Sequence, residues 1–267
     1  KVDVYGPIAD YMEYHTAILG VTGSGKTELA FDIIGNAIAQ GIKIICIDLT
    51  AKYGERLKDL NPVDMTLDPE EVISLNEKIF DVETGEYKAG KEKRALREAD
   101  KKIRNSMQEA LKSFLESEAE DSRIGIISLQ EISNTYVTLL LTEMYLTTLL
   151  HFARDNSGSC PRVMIVVEEA HTVMPETGTM GLGDFSSKAL VGKISQIALQ
   201  GRKYGVGLLV ISQRTANVTK TVLSQINTII SFASYDETST NYLKSIFGEK
   251  YASVVSNLPK LHVIAHG

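Results

Sequence analysis

The sequence predicts an α/β fold in which a mostly parallel central sheet carries helices on both faces. Short apolar segments alternate along the chain with longer segments of helical periodicity. Most of the apolar segments lack polar alternation, which is typical of strands that are covered on both faces. The alternation of strands and helices favours parallel strands joined by right-handed crossovers.

The expected elements follow the chain in this alternating order. We predict strands at Thr16–Gly20, Lys43–Asp48, Ile124–Leu129, Val163–Glu168, Val206–Ser212, Asn227–Phe232 and Leu261–Ala265. We predict helices at Lys26–Gln40, Pro69–Phe80, Ala89–Glu118, Glu131–Arg154, Ser186–Tyr204, Val218–Gln225 and Glu237–Phe247. Residues 1–267 are interpreted as a single domain, with a highly charged helical insertion at 81–121 that lacks a strong apolar stripe.

Composition sets limits on the class of protein. The 267 residues are 43% hydrophobic and carry a net charge of −6, so no overall positive field attracts nucleic acid or anionic lipid. Two cysteines predict no disulfide framework and are consistent with a reducing cytoplasm. The most apolar long stretch, Tyr136 to Ala153, contains Glu143 and four threonines, so we predict a buried helix rather than a membrane span.

A phosphate-binding loop follows the first predicted strand. Its residues match G-x-x-x-x-G-K-[ST] in full: Gly20, Val21, Thr22, Gly23, Ser24, Gly25, Lys26 and Thr27. Glycines let successive N–H groups point at phosphate oxygens, and the helix N-terminus adds the positive end of a dipole. We expect residues 22–28, through Glu28, to bind ATP. Lys26 acts on the β and γ phosphates, and the Thr27 hydroxyl coordinates Mg²⁺.

A second motif places two carboxylates at the end of the strand that begins at Val163. Glu168 is predicted to hold the Mg²⁺ shell, and Glu169 to polarise the attacking water. Aspartate is more usual at the first position, and the longer glutamate predicts an indirect metal contact. His171 has two open interpretations, a relay of γ-phosphate status or a helix cap.

The order of the motifs narrows the fold. At least two predicted strands separate the phosphate loop from Glu168, and a catalytic glutamate follows the metal carboxylate. This arrangement indicates a RecA-like P-loop sandwich and argues against small-molecule kinases and Ras-like GTPases. A superfamily 2 helicase would need two tandem cores, and the sequence contains one.

A third polar strand end supplies a candidate sensor and two candidate arginines. Gln213 follows the strand Val206–Ser212, where it is either a sensor of the γ-phosphate or a turn residue. Arginine suits a transferring phosphoryl group because its planar fork gives two donors and a permanent charge. Arg202 and Arg214 are the candidates, in cis or from a neighbouring subunit, and we favour Arg202.

Several of these strings together resemble the HerA branch of the HerA/FtsK ATPases. The resemblance rests on 20–27, on Glu168-Glu169-Ala170-His171, on 201–207, on Ser212-Gln213-Arg214 and on 222–228. The segment from Asp48 to Glu55 is similar to the family's D-P-x-G-E-Y pattern, although its proline and early glycine are missing here.

The resemblance implies a hexameric ring that moves double-stranded DNA through its centre, often with a nuclease partner. In some relatives the partner is a sirtuin-like or other effector used in antiviral defence. It also implies a β-barrel before the ATPase core. Because the chain starts at Lys1 and ends directly after an apolar segment, we expect flanking parts in a longer protein.

The best candidate for a DNA contact is the basic strip Lys88–Arg104. It holds eight positive and three negative side chains, and it is interpreted either as a pore lining or as a solvated helix face. The leading functional hypothesis is a ring motor that translocates double-stranded DNA. The alternative is an ATP-controlled assembly scaffold that activates a partner effector without moving DNA.

Overall fold

Eight strands form one sheet in the computed structural model, which describes residues 15–83, 91–118, 123–132, 134–176 and 185–267, without the side chains of 80–83, 91–96 and 185–186. They are β1 (Thr16–Leu19), β2 (Lys43–Asp48), β3 (Val63–Asp64), β4 (Ile124–Ser128), β5 (Val163–Val167), β6 (Val206–Ser212), β7 (Thr228–Ser231) and β8 (Ile264–His266). Their spatial order is β3-β4-β2-β5-β6-β1-β7-β8. All neighbours pair in parallel except β8, which runs antiparallel to β7.

The α-helices of the described residues connect and cover these strands. They are α1 (Lys26–Ala39), α2 (Lys52–Arg56), α3 (Pro69–Glu83), α4 (Lys91–Glu116), α5 (Thr135–Asp155), α6 (Ala170–Val173), α7 (Phe185–Ile194), α8 (Gln196–Gln200), α9 (Lys220–Leu223), α10 (Glu237–Phe247) and α11 (Glu249–Val255). Short 3₁₀ turns lie at Lys58–Leu60, Gly201–Tyr204 and Thr215–Asn217. The predicted α/β fold with a mostly parallel sheet is confirmed.

Several predicted boundaries were wrong for local reasons. The helix expected at 186–204 is interrupted at Ser195, whose hydroxyl donates to the carbonyl of Val191 at 2.8 Å. The final strand begins only at Ile264, because Leu261 adopts a left-handed backbone with φ 64°. The short elements β3, α2 and α11 were not predicted.

The sheet separates two hydrophobic cores because successive strand residues point to opposite faces. On one face, Ile18, Ile44 and Met164 pack against α1 residues such as Ile34. On the other face, Ala17, Ile45 and Ile165 belong to a larger cluster with α5 and the helices around it. The strands are therefore buried on both sides, which explains their continuous apolar sequences.

Helix α5 confirms the prediction of a buried apolar helix between Tyr136 and Ala153. Most of its side chains are buried, and the Asn134 carboxamide caps its start by accepting from the N–H groups of Tyr136 and Val137. Within the described ranges, no helix combines the length and apolarity that crossing a bilayer requires.

The central strands place three chain segments at one edge of the sheet. Strand β6 lies between β5 and β1, and Leu19 at the end of β1 is paired with Ser212 at the end of β6. The phosphate loop, the two glutamates and Gln213 each follow one of these three strands. Parallel pairing brings all of them to the carboxyl edge.

The charged segment at 81–121 differs from its expected character. Residues 84–90 and 119–122 lie outside the described residues, but α4 has a clear apolar stripe. The stripe consists of the buried residues Ile103, Met107, Leu111, Phe114 and Leu115. The expectation that this region lacks such a stripe was wrong, because charged residues between the apolar ones hide a helical period.

Part of the basic strip serves contacts within the chain. Lys88 is outside the described residues, as are the side chains of 91–96. Lys102 binds Glu71 at 2.8 Å, and Arg104 donates to the buried carboxylate of Glu143 at 2.6 Å. Lys193 approaches the same carboxylate at 3.5 Å. Glu143 is thus a buried charge of the core that needs Arg104.

We expect Arg104→Met to lower the free energy of unfolding by about 3 kcal/mol, because it leaves the buried Glu143 carboxylate poorly paired. The double variant Arg104→Met with Glu143→Leu should recover most of this loss. Urea denaturation measures both values. The exposed neighbour Lys101 provides the control, and Lys101→Met should change stability by less than about 0.5 kcal/mol. Equal effects of the two methionine variants would contradict a buried role for Arg104.

Candidate functional site

The loop from Gly20 to Thr27 has a shape that requires glycine at two positions. Gly20 has φ 141°, and a Cβ added there would lie 2.7 Å from Cβ of Phe232. Gly25 has φ 118°, and its Cβ would lie 2.6 Å from Cδ2 of Leu261. The Val21 N–H is anchored on the carbonyl of Ala233 at 2.9 Å. The loop is therefore held closely against the segments that follow β7 and precede β8.

The start of helix α1 and the ammonium of Lys26 provide hydrogen-bond donors for an anion at this loop. The N-cap of α1 is Gly25, so no side chain caps the first N–H groups, and they remain available to a ligand. Lys26 is buried, and its ammonium donates to the Val21 carbonyl at 2.9 Å. Burial lowers the pKa of Lys26, while the charges of Glu169 and Glu168 oppose that shift. An ammonium has three donors, so Lys26 can keep this contact and still bind phosphate.

Thr27 and Glu168 meet across the site although they are far apart in sequence. The Thr27 hydroxyl donates to Oε1 of Glu168 at 3.0 Å. Oε2 of Glu168 is buried and has no hydrogen-bond partner among the described residues. A hydroxyl beside a carboxylate with a spare oxygen suits a hard divalent cation such as Mg²⁺.

A larger protein cage for a metal is not found in the described parts of the chain, which contain no group of three or more His, Cys, Asp or Glu side chains suited to a metal ion. Mg²⁺ usually takes one or two protein ligands and completes its shell with water and substrate phosphates. Thr27 and Glu168 would be the protein's contribution.

Glu169 is joined to the phosphate loop through Gln213. The Gln213 amide donates to Oε1 of Glu169 at 3.2 Å and accepts a short hydrogen bond from the Thr22 hydroxyl. Nδ1 of His171 lies 3.4 Å from Oε2 of Glu169, without the geometry of a hydrogen bond. Burial lowers the pKa of His171, and the charge of Arg214 adds to that shift against the opposing effect of Glu169.

The structure therefore brings the sequence-predicted residues 22, 23 and 25–28 together with Glu168, Glu169 and Gln213 at one cavity of about 520 Å³, which Ser24 does not line. Two residues that were predicted to bind ATP, Glu28 and Ser24, differ from that expectation in what their side chains contact. Glu28 lines the cavity, but its carboxylate is paired with Arg56 through contacts of 3.0 and 2.7 Å. The Ser24 hydroxyl is buried without a hydrogen-bond partner in the described part of the chain.

Arg202 is not brought to this cavity. It lies in the turn that leads into β6, at the opposite edge of the sheet, and lines a separate cavity with His15 and Asn227. The length of β6 separates the two edges by roughly 20 Å. Arg214 follows Gln213 directly, is exposed, and lines a neighbouring cavity that also includes Thr22 and Gln213. Of the two candidate arginines, Arg214 is therefore the nearer one to the phosphate loop of the same chain.

Two lysines at the cavity were not predicted from the sequence. Lys52 enters from the segment after β2, and Lys260 from the loop before β8. Neither residue belongs to the phosphate-loop motif. Lys52 lies in the segment from Asp48 to Glu55 that resembles the family pattern, but that pattern does not single out a lysine.

Glu169 adopts an unfavourable backbone conformation. Its φ of 50° and ψ of 46° lie in the left-handed region, which costs a non-glycine residue about 1 kcal/mol. This conformation turns the chain sharply between β5 and α6 and leaves two adjacent carboxylates at the same cavity. Strain of this kind is typical of residues with a functional role.

We expect Glu169→Gly to be more stable than Glu169→Ala by about 1 kcal/mol, because glycine adopts a positive φ freely. Both variants lose the carboxylate, so their difference isolates the backbone term, which thermal unfolding can measure. The pair Glu109→Gly and Glu109→Ala is the control, at an exposed position inside helix α4. There alanine should be the more stable residue. The same order at both positions would contradict strain at Glu169.

Sequence comparisons find similarity between this chain and curated helicases. A probable helicase of Methanocaldococcus jannaschii is 32% identical over 102 residues, which cover 37% of this chain and 17% of that protein. The DNA double-strand break repair helicase HerA of Sulfolobus acidocaldarius is 23% identical over 273 residues, covering 79% of this chain and 53% of that protein. The chain thus spans about half the length, or less, of these curated relatives.

Solved structures share the fold at low sequence identity. The genome packaging NTPase B204 of Sulfolobus turreted icosahedral virus 2, in complex with AMPPCP, has a TM-score of 0.55 at 12% identity, covering 94% of this chain and 96% of that one. The bacterial conjugative coupling protein TrwB has a TM-score of 0.59 at 12% identity, covering 96% and 82%. The predicted P-loop fold is confirmed by these neighbours.

Residues 1–251 match the family described as "Helicase HerA, central domain", which is most of the chain. The resemblance carried by the phosphate loop and the Glu168-Glu169-Ala170-His171 block is therefore correct, and the chain belongs to the HerA central-domain family.

Proposed function

We propose that this chain is the ATP-hydrolysing core of a ring motor that acts on double-stranded DNA. The observation that carries the proposal is the cavity in which Lys26, Thr27, Glu168 and Glu169 converge. Family membership supports ATP as the substrate, as does the fold shared with an NTPase bound to AMPPCP. We assign the whole described sheet and its helices to this one ATPase unit.

The residues supply the steps of a hydrolysis reaction. Water attacks the γ-phosphorus, the bond to the β–γ bridging oxygen breaks, and the proton of the water passes to Glu169. Gln213 orients Glu169 through their hydrogen bond. Lys26 and the first N–H groups of α1 compensate the charge on the phosphates. Mg²⁺, when held by Thr27 and Glu168, would withdraw further charge from the phosphate oxygens.

Glu169→Gln should lower ATP turnover by at least about a hundred-fold while leaving ATP affinity nearly unchanged, because glutamine keeps the shape but cannot accept the proton. Lys26→Ala should instead weaken nucleotide binding, because it removes a charge from the phosphate site. Steady-state phosphate release and equilibrium titration with labelled ATP separate the two effects. Turnover by Glu169→Gln near the wild-type rate would refute the assignment of the base.

Action on DNA is supported by the relatives. Of the two curated relatives described above, one is named a probable helicase and the other a DNA double-strand break repair helicase. Two structural neighbours are a genome packaging NTPase and a conjugative coupling protein. A hexameric ring with a nuclease or sirtuin-like effector, serving DNA-end processing or antiviral defence, extends the proposal along the family resemblance.

The alternative proposal, a scaffold that activates its partner without moving DNA, has one specific observation in its favour. Two cations of the basic strip, Lys102 and Arg104, bind Glu71 and Glu143 of the same chain. Fewer charges of the strip therefore remain for DNA phosphates, and the chain as a whole is acidic.

We expect double-stranded DNA to raise the ATPase rate of the assembled protein several-fold, and the effect to fall as salt is raised. The measurement is phosphate release with and without duplex over a range of ionic strength. Glu169→Gln serves as the background control for contaminating ATPases. No stimulation by any duplex, together with assembly that depends on ATP, would reject the motor and support the scaffold.

A further inference from the structure

We propose that Lys52 and Lys260 bind the phosphates of the nucleotide together with Lys26, so that the triphosphate is held from both sides of the phosphate loop. This inference rests on the proposed ATPase function and adds two binding residues to it. Both lysines line the cavity that contains the loop.

The position of Lys52 is fixed first by the carboxylate at the end of β2. Asp48 accepts hydrogen bonds from the N–H groups of Thr50 at 2.8 Å and Tyr53 at 3.0 Å. These two bonds fold the chain tightly around Ala51, whose φ is 59°. Lys52 therefore starts a short helix at a defined place beside the site.

The same segment is also attached to helix α1. Tyr53 is fully buried, with its ring 5.2 Å from that of Phe31. Arg56 makes two parallel contacts with Glu28 and lies 4.7 Å above the Phe31 ring. Lys52 thus belongs to a structured segment, and its charge is close enough to lower the pKa of Lys26.

Lys260 is held by contacts of its neighbours with the phosphate loop. The Leu261 N–H donates to the Ser24 carbonyl of the phosphate loop at 3.2 Å. Within the loop before β8, the His262 N–H donates to the Pro259 carbonyl at 3.1 Å. The Leu261 side chain occupies the space beside Gly25 that a Cβ would otherwise fill. The loop before β8 is therefore attached to the phosphate loop, and Lys260 faces the cavity from that side.

The lysines around the cavity favour the binding of an anionic ligand. Neither ammonium group, that of Lys52 or that of Lys260, makes a hydrogen bond or ion pair with a residue that the structure describes, whereas Glu28 is paired with Arg56. The three lysines outnumber the remaining carboxylates, Glu168 and Glu169, by one positive charge. A polyanion bound between the lysines would reduce their mutual repulsion. A triphosphate is the polyanion that this arrangement fits.

The sheet order places the two lysines on opposite sides of the ligand. Lys52 follows β2, the neighbour of the glutamate-bearing strand β5. Lys260 precedes β8, which lies beyond β7 on the other side of β1. The phosphates would therefore lie between Lys52 and Lys260, with Lys26 at the base of the cavity.

The test is equilibrium binding of AMPPCP with Mg²⁺ to the intact protein. Lys52→Gln and Lys260→Gln should each raise Kd about ten-fold at low salt, the size expected for one charge-assisted contact. The difference from wild type should shrink as ionic strength rises, because exposed charges are screened. Lys58→Gln and Lys250→Gln, at exposed lysines outside the cavity, are the controls and should bind within two-fold of wild type.

Lys26→Ala in the same assay separates this inference from the proposed function. If Lys26→Ala loses binding while either glutamine variant of the cavity binds within two-fold of wild type, the inference is overturned for that lysine. If wild-type protein does not bind AMPPCP, or if Lys26→Ala binds it equally well, the proposed function fails instead. Unchanged thermal unfolding of the glutamine variants establishes that any loss is local.

Discussion

The parallel pairing of β5, β6 and β1 is the constraint on which the site depends. Thr27 and Glu168 are hydrogen-bonded at 3.0 Å although 141 positions separate them in sequence. They can meet only because three strands end at the same edge with β6 between the other two. A shift in register by one residue would turn every side chain of a strand to the opposite face. The buried Ile and Val residues of these strands therefore fix the geometry of the site as well as the stability of the fold.

The site concentrates features that oppose folding. Lys26 and Glu168 are buried, Glu169 has a left-handed backbone, and several polar atoms lack partners among the described residues. A bound nucleotide and its metal ion would satisfy charges that the protein leaves unpaired. Binding and stability are consequently coupled, since a ligand that binds only the folded state stabilises it by mass action.

The parts of the site that could be predicted from the sequence belong to motifs with a local cause. The phosphate loop needs its glycines at fixed spacing, and a pair of carboxylates after an apolar strand can be recognised from the sequence alone. No motif singles out Lys52 or Lys260 as a binding residue, because both reach the cavity through contacts between distant segments. For the same reason, the sequence shows Arg104 only as one charge of a basic strip. Its partner Glu143 lies on another helix, and only the folded structure brings the two together. Strand β3, with two residues, is too short to give a periodic pattern.

The positions of the two arginines have a consequence for assembly. A side chain at Arg202 cannot reach the phosphate loop of its own chain, because the length of the sheet lies between them. Arg214 directly follows Gln213 and lines a neighbouring cavity with it, so Arg214 is the candidate that could act in cis. If Arg202 acts on a phosphate at all, a second copy must supply that phosphate, and hydrolysis would then depend on oligomerisation. In a ring, each nucleotide site has a neighbouring subunit that could supply Arg202. The prediction that Arg202 acts on the phosphoryl group therefore depends on the proposed hexamer and cannot hold within an isolated chain.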